Sequence, residues 1–383
     1  MRQYGVIAVG YNRPKSLKRL LNALNQADYQ NHKITLIISL DYAGHDEILT
    51  AAHEFIWEHG KKIVNACPER LGLKNHILKC GDYMAAYSLD AVAVFEDDIM
   101  PSPAFFNYMR QAVEYYESDM RIAGISLYTH LWNVNSEKPF YPMTGGSDIF
   151  FLQFAQSWGQ IWMKKQWSEF KAWYQYHSES FSQAEGVPFN VCHWKDSSWL
   201  KYHIRYCVET NKYFVYPYEA LCTNFTDMGE HHAYSTSLFQ VPLQTDSKKK
   251  YRLISLTEAP VVYDAFFENT KIAQNINLPD QELCIDIYGT KQNASGKKYW
   301  LTTHNADYQI VKTYGLKLRP HELNIIFNIE GSEIKLYHTE GTRKNPKNPY
   351  EFYKCYDYYF RISHCTWKDL LRYLIDKFKI RLK

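Results

Sequence analysis

Three consecutive acids, Glu96-Asp97-Asp98, stand directly after the apolar run Ala91 to Phe95. Packing gains nothing from carboxylates at the end of a buried strand, since each would lose its hydration. Hard divalent cations favour carboxylate oxygens together with the phosphate oxygens of a ligand. One or two acids at a strand end can therefore hold Mg2+ or Mn2+ against a diphosphate. The plainer alternative is that Asp97 or Asp98 caps the next turn and complements a helix dipole. Polar residues also close two earlier apolar runs, Asn12-Arg13 after Val6 to Val9 and Asp41 after Ile34 to Leu40.

The elements that must position these groups follow from the apolar spacing. Val6 to Val9 reads as a buried strand, and Leu17, Leu20, Leu21 and Leu24 recur at helical spacing within Lys15 to Leu24. The unit repeats: strand Ile34 to Leu40, helix around Glu47 to His59, strand Ile63 to Asn65, helix Ile77 to Ser88, strand Ala91 to Phe95. Alternation of this kind predicts an α/β fold, a sheet rich in parallel strands with helices on both faces. Ligands of such sheets sit at the carboxyl ends of the strands. Arg13, Asp41 and the acid triplet are thereby expected on one edge. Ser102-Pro103 reads as N-cap and first residue of a helix running to about Tyr116.

Beyond Gly124 the chain is mixed and dense in tryptophan (Trp158, Trp162, Trp167, Trp173), with a helix beginning near Asp196. The polar segment Gln244 to Arg252 reads as a boundary. After it, Leu283 to Tyr288, Tyr299 to Thr303 and Leu323 to Ile329 predict a small β-rich domain. The expected organisation is thus a nucleotide-binding domain over 1–243, a smaller β-rich domain over 253–343, and a linker with a terminal helix over 344–383.

Composition narrows the function. Of 383 residues, 46% are hydrophobic and 22% charged, the balance of an ordinary globular chain. A net charge of +3, with no basic run interleaved with stacking aromatics, argues against a nucleic-acid partner. Eight cysteines without a CxxC pair point to reduced thiols rather than a disulfide framework. The first strand begins almost at the N-terminus, and no run approaches the roughly 20 apolar residues of a membrane span. A cytoplasmic protein is the expectation, with membrane contact only peripheral, on the inner face.

The segment Val94-Phe95-Glu96-Asp97-Asp98-Ile99, with Pro101 and Pro103-Ala104-Phe105-Phe106, resembles the metal-binding strand end of GT-A-fold glycosyltransferases. It is particularly similar to the N-acetylglucosaminyltransferase I family and to bacterial family 2-like transferases that carry Glu-Asp-Asp as their form of the Asp-X-Asp motif. Val9-Gly10-Tyr11-Asn12-Arg13-Pro14 and Ser39-Leu40-Asp41 extend the likeness, which covers about the first 240 residues. The resemblance implies that Arg13 contacts a diphosphate, Asp41 hydrogen-bonds the nucleotide base with His76 nearby, Asp97 lies near the ribose, and Glu96 is supporting. It implies Asp98 as ligand to Mn2+ or Mg2+, with His231 completing the metal site or touching phosphate. His193-Trp194-Lys195-Asp196 resembles the segment that opens the acceptor-side helix, which makes Asp196 the general base. In an inverting transfer that carboxylate takes the acceptor hydroxyl proton while the nucleoside diphosphate departs from the opposite face.

The implied function is an inverting transfer from a nucleotide-sugar, by likeness a UDP-sugar, to a glycan or lipid-linked acceptor in bacterial surface polysaccharide synthesis. A sugar-phosphate nucleotidyltransferase would need a Gly-rich basic loop after the first strand, and Gly10-Tyr11-Asn12-Arg13-Pro14 does not supply it. A non-catalytic carbohydrate-binding or scaffolding protein is the other alternative. At the C-terminus, Trp367, Leu370, Leu371, Leu374, Ile375, Phe378 and Leu382 follow helical spacing, with Lys368, Arg372, Lys379 and Lys383 opposite. This pattern suits a helix lying on an anionic membrane, or one docked on its own domain.

Overall fold

The computed structural model describes residues 2–225, 237–346 and 349–381. It divides into two compact units, residues 1–135 with 142–271, and residues 136–141 with 272–383.

The first unit opens with four βα steps. β1 (Tyr4–Gly10) leads to α1 (Pro14–Asn25), β2 (Thr35–Leu40) to α2 (Glu47–Glu54), β3 (Lys62–Ala66) to α3 (Gly72–Ala86), and β4 (Ala91–Glu96) through the short β5 (Ile99–Pro101) to α4 (Phe105–Tyr116). Pro14 begins α1, where its missing N–H costs nothing. The start of α4 departs from expectation. Its N-cap position is Ala104, while Ser102 Oγ accepts a hydrogen bond from Ala104 N at 3.1 Å and donates to the Gln244 carbonyl. Ser102 therefore shapes the turn ahead of the helix rather than capping it.

The chain continues through β6 (Ile122–Ser126), β7 (Trp132–Asn133), β8 (Lys138–Pro139), β9 (Ile149–Leu152), β10 (Gln160–Met163), α5 (Lys164–Tyr176), α6 (Phe189–Cys192), α7 (Trp199–Glu209), β11 (Tyr213–Pro217), β12 (Cys222–Asn224) and β13 (Val262–Tyr263). Nine strands form one mixed sheet in the order β13-β9-β11-β6-β10-β4-β1-β2-β3. β4, β1, β2 and β3 are parallel, and β10 inserts antiparallel between β4 and β6.

Alternation along the strands builds two cores. Val6, Ala8, Leu36, Ile38, Ala93 and Phe95 pack with Leu17 and Leu20 of α1, Ile48 of α2 and Phe106 of α4. The opposite face is closed by α3, α5 and α7, where Trp162 of β10 stacks on Trp167 of α5 at 3.9 Å. Gly81 of α3 lies under that pair, and a Cβ there would fall 1.9 Å from the Trp167 ring.

The boundary of the first unit lies at Lys271, beyond the expected 243–253. Gln244 N donates to the Ala220 carbonyl, Arg252 N to Asp148, and β13 adds in parallel to β9. These contacts draw a polar stretch with no periodicity of its own into the first unit.

The second unit holds α8 (Ile272–Asn275), β14 (Leu283–Asp286), β15 (Tyr299–Thr302), β16 (Tyr308–Tyr314), α9 (Glu322–Ile326), β17 (Ile334–Thr342), α10 (Glu351–Phe360) and α11 (Trp367–Arg381). Its four-stranded sheet has the order β14-β15-β17-β16, over a core of Leu283, Ile285, Leu301, Ile325, Ile334 and Leu336. The expected strand Leu323 to Ile329 is instead α9, whose turn is closed by Phe327 N to the Leu323 carbonyl at 2.9 Å. Asn324 decides the outcome, since its side chain serves Lys317 N, Leu318 N, and the carbonyls of Leu318 and His321. A short apolar run carries too few residues for its period to tell strand from helix.

Candidate active site

Arg13 and the acid triplet meet because β1 and β4 are neighbours in register, Val9 opposite Glu96. Both strands stop there, and their next residues emerge at the carboxyl edge of the sheet. Arg13 Nη2 pairs with Asp97 and lies 3.3 Å from Asp98 Oδ2. Asp97 is almost buried, whereas Asp98 keeps 24% of its side chain exposed. The pair outweighs the burial that opposes the guanidinium charge, so the Arg13 pKa is raised.

On Glu96 it is the neutral form that is favoured. Burial first, then the charges of Asp98 and Asp97, raise its pKa against the pull of Arg13. A protonated Glu96 offers an O–H donor instead of a third negative charge. The triplet therefore divides into a near-neutral acid, a paired acid and a partly exposed acid.

A second layer fixes the Asp98 backbone. β12 pairs antiparallel with β5, and Phe225 N donates to the Asp98 carbonyl at 2.7 Å. The Arg19 guanidinium of α1 lies 3.6 Å from the centroid of the Phe225 ring. Beneath β12, Cys222 Sγ is 3.0 Å from the Trp158 carbonyl. Gly159 has φ +74°, and a Cβ on it would stand 2.4 Å from that sulfur. The close approach and the left-handed backbone both demand glycine. Trp158 is half-buried at this edge, and Trp162 is core.

Asp41 lies at the same edge, at the end of β2. Its Oδ1 accepts from Tyr42 N at 2.9 Å and Leu71 N at 2.8 Å, and its Oδ2 accepts from Gly72 N at 2.9 Å. The carboxylate thus fastens the start of α3, with one of roughly four lone-pair sites left over. His76 is 2% exposed, turned between α3 and the sheet, with Nε2 2.7 Å from Ser39 Oγ. Burial lowers its pKa to about 4, so the ring is neutral. The Asp41 charge opposes that lowering, and the ring stands as a support behind the edge.

Asp196 lies two residues before Ser198, the N-cap position of α7. Its carboxylate accepts from Ser180 Oγ at 2.7 Å and Lys201 Nζ at 3.0 Å. These partners, Ser180 first, lower its pKa and keep it ionised. Lys74 of α3 acts on it electrostatically and lies over the Tyr202 ring of α7, which places Asp196 beside the α3 end that Asp41 anchors. No periodic signal marks Lys201 or Ser180 in the sequence, since both act through tertiary contacts. His231 lies outside the described residues.

Hard carboxylate oxygens at Asp98, with Asp97 behind them, suit Mg2+ or Mn2+ that takes its remaining ligands from phosphate. Among the described residues no group of three or more His, Cys, Asp or Glu could hold an ion alone. Among the described residues, no helix is long and apolar enough to cross a membrane.

No family model and no curated protein matches the chain. Parts of solved structures are similar to it. A mannosyltransferase from Pyrobaculum calidifontis, in complex with GDP-Man and Mn2+, matches at 16% identity over 43% of this chain and 46% of its own, with a TM-score of 0.31. TarS 1-349 of S. aureus matches at 12% identity over 57% and 59%, TM-score 0.36. A cytidylyltransferase from Leptospira borgpetersenii matches at 11% identity over 45% and 65%, TM-score 0.26. The chain spans about half the length of the first two, 46% and 59%. Overlaps this partial decide neither activity nor ligand.

Proposed function

We propose that this chain is an inverting, metal-dependent glycosyltransferase that moves a hexosyl or N-acetylhexosaminyl group from a UDP-sugar. The observation that carries the reading is Arg13 held between Asp97 and Asp98, where β1 and β4 end together. A cation and a partly exposed carboxylate side by side suit a nucleoside diphosphate and its counter-ion.

In this reading Arg13 binds the diphosphate, Asp97 faces the ribose, and the spare acceptor site of Asp41 takes the base N–H. Glu96 supports the edge, and His76 holds α3 against the sheet. Asp98 holds Mn2+ or Mg2+, which neutralises charge on the departing diphosphate. His231 is carried as a further ligand from the sequence resemblance alone. Asp196, ionised and 52% exposed, accepts the acceptor hydroxyl proton. The acceptor is a glycan or lipid-linked oligosaccharide of bacterial surface polysaccharide synthesis. The protein works in the cytoplasm, with peripheral contact at the inner membrane face through its terminal helix.

The test is a thermal-shift panel of UDP, GDP, CMP and dTDP with and without Mn2+, on wild type and Asp98→Ala. Ligands of the native state raise its melting temperature by mass action. A metal-dependent rise with UDP that the variant loses supports the reading. Absence of any nucleotide response sinks it in favour of a non-catalytic protein.

A further inference from the structure

The terminal helix displays its apolar stripe to the outside. Trp367 is 87% exposed, Leu371 61%, Leu374 53% and Ile375 46%, and they share one side of α11 at helical spacing. Isolated helices of about 15 residues are marginal in water, and most helical stability comes from covering an amphipathic face. Among the described residues the chain does not provide that cover.

α10 repeats the pattern in a form hidden from the sequence. Its C-terminal end is anchored in the second unit: Tyr358 donates to the Leu318 carbonyl at 2.5 Å, and the buried Tyr359 stacks on Tyr288. Its earlier turns leave Phe352 78%, Tyr353 50% and Tyr356 42% exposed, with Phe352 stacked on Tyr356 at 5.6 Å. Anchoring by its two tyrosines leaves this aromatic row outward.

Charge selects the occupant. Residues 367–383 carry six Lys or Arg, including the exposed Lys368 and Arg372, against two Asp. A second copy docked through the same stripe would set two basic margins against each other, since a two-fold interface meets itself. An anionic bilayer instead attracts them, each basic residue near the surface adding about fivefold to partitioning. Trp and Tyr are also the side chains that settle at the headgroup boundary.

We propose that α10 and α11 together form a docking surface for an anionic lipid bilayer, with the exposed aromatics at the headgroup boundary and Lys368 and Arg372 against the lipid phosphates. This deepens the membrane contact in the functional reading above and rests on it for the acceptor's location only.

The test is co-sedimentation of the full chain with phosphatidylcholine vesicles, with and without phosphatidylglycerol. Two variants run beside wild type: Trp367→Ser with Leu371→Ser and Leu374→Ser, and the charge reversal Lys368→Glu with Arg372→Glu. Wild type is expected on the anionic vesicles alone, with salt releasing it. Both variants should bind them at least about tenfold more weakly. The charge reversal leaves the apolar stripe intact, so the test survives if the serine variant misfolds. Equal binding to both vesicle types, or unchanged binding by the charge reversal, overturns the proposal. So does failure to bind vesicles with self-association in sedimentation velocity, which would make a second copy the occupant. The UDP thermal shift on the same samples separates the two readings. A retained shift without vesicle binding sinks the docking surface alone, and vesicle binding without a shift sinks the transferase alone.

Discussion

Lys201 and Asp196 form an ion pair with one member in the core and the other in solvent. The Lys201 side chain is 2% exposed and that of Asp196 is 52%, at 3.0 Å. Lys201 also donates to the Trp194 carbonyl at 3.1 Å and lies 4.5 Å from the centroid of the Phe181 ring. A buried ammonium with these partners holds the carboxylate ionised and in one orientation, which a proton acceptor needs. Asp196→Asn is expected to lower kcat about 10² to 10⁴-fold, while the UDP thermal shift stays intact. Lys201→Met should raise the acidic limb of the pH–kcat profile, because the Ser180 hydrogen bond that depresses the Asp196 pKa most remains while the Lys201 share of the pull is gone. Equal kcat for Asp196→Asn and wild type would remove Asp196 from the chemistry.

Arg13→Met should take the Arg13 charge away from the nearly buried Asp97. Breaking a fully buried pair costs about 3–5 kcal/mol. With Arg13 24% exposed, solvent screening should reduce the loss to about 2 kcal/mol. Urea unfolding measures that loss, and donor KM should rise in parallel. Arg13→Lys should restore stability better than donor binding, since one ammonium cannot fork between Asp97, Asp98 and a phosphate.

Gly159→Ala places a methyl against Cys222 in a left-handed backbone, so destabilisation of about 1–3 kcal/mol is expected. Adding Cys222→Ala should recover the steric part and leave the backbone part. A double-mutant cycle in urea reads the difference, and strict additivity would show that the contact does not matter.

Four buried histidines govern stability against pH. Burial lowers the pKa of His76 to about 4, and of His130, His203 and His321 to about 3. Asp41 opposes this at His76, while Lys79 there and Lys138 at His321 add to it. Below the ordinary value of about 6.5 the unfolded chain binds protons that the folded chain refuses. Their contribution is thus complete above about pH 6.5 and is lost as pH falls towards 4, by up to about 1.4 kcal/mol per histidine per pH unit. The urea midpoint should drop between pH 7 and pH 5. Neither ring nitrogen of His203 has a partner among the described residues, and the ring stacks on Phe170 at 4.1 Å. His203→Phe should therefore flatten the profile without loss of stability at pH 7. An unchanged slope would contradict this assignment.

The β1, β2 and β4 runs, the helix over Lys15 to Leu24 and the position of the acid triplet at a strand end were legible in the chain alone. Each depends on neighbours in sequence: the period of apolar residues, and carboxylates where burial stops. The same local logic left Leu323 to Ile329 undecided, because so short a run has no resolvable period and Asn324 gains its partners only in the folded loop. Tertiary structure alone inserted β10 between β4 and β6, drew residues 244–271 into the first unit, and turned His76 into the interior. It also set Lys201 beneath Asp196 and left the row from Phe352 to Tyr356 facing outward. Strand pairing and charge pairing join residues far apart in the chain. Their energies depend on distance and burial after folding, and neither quantity is written in residue type or spacing.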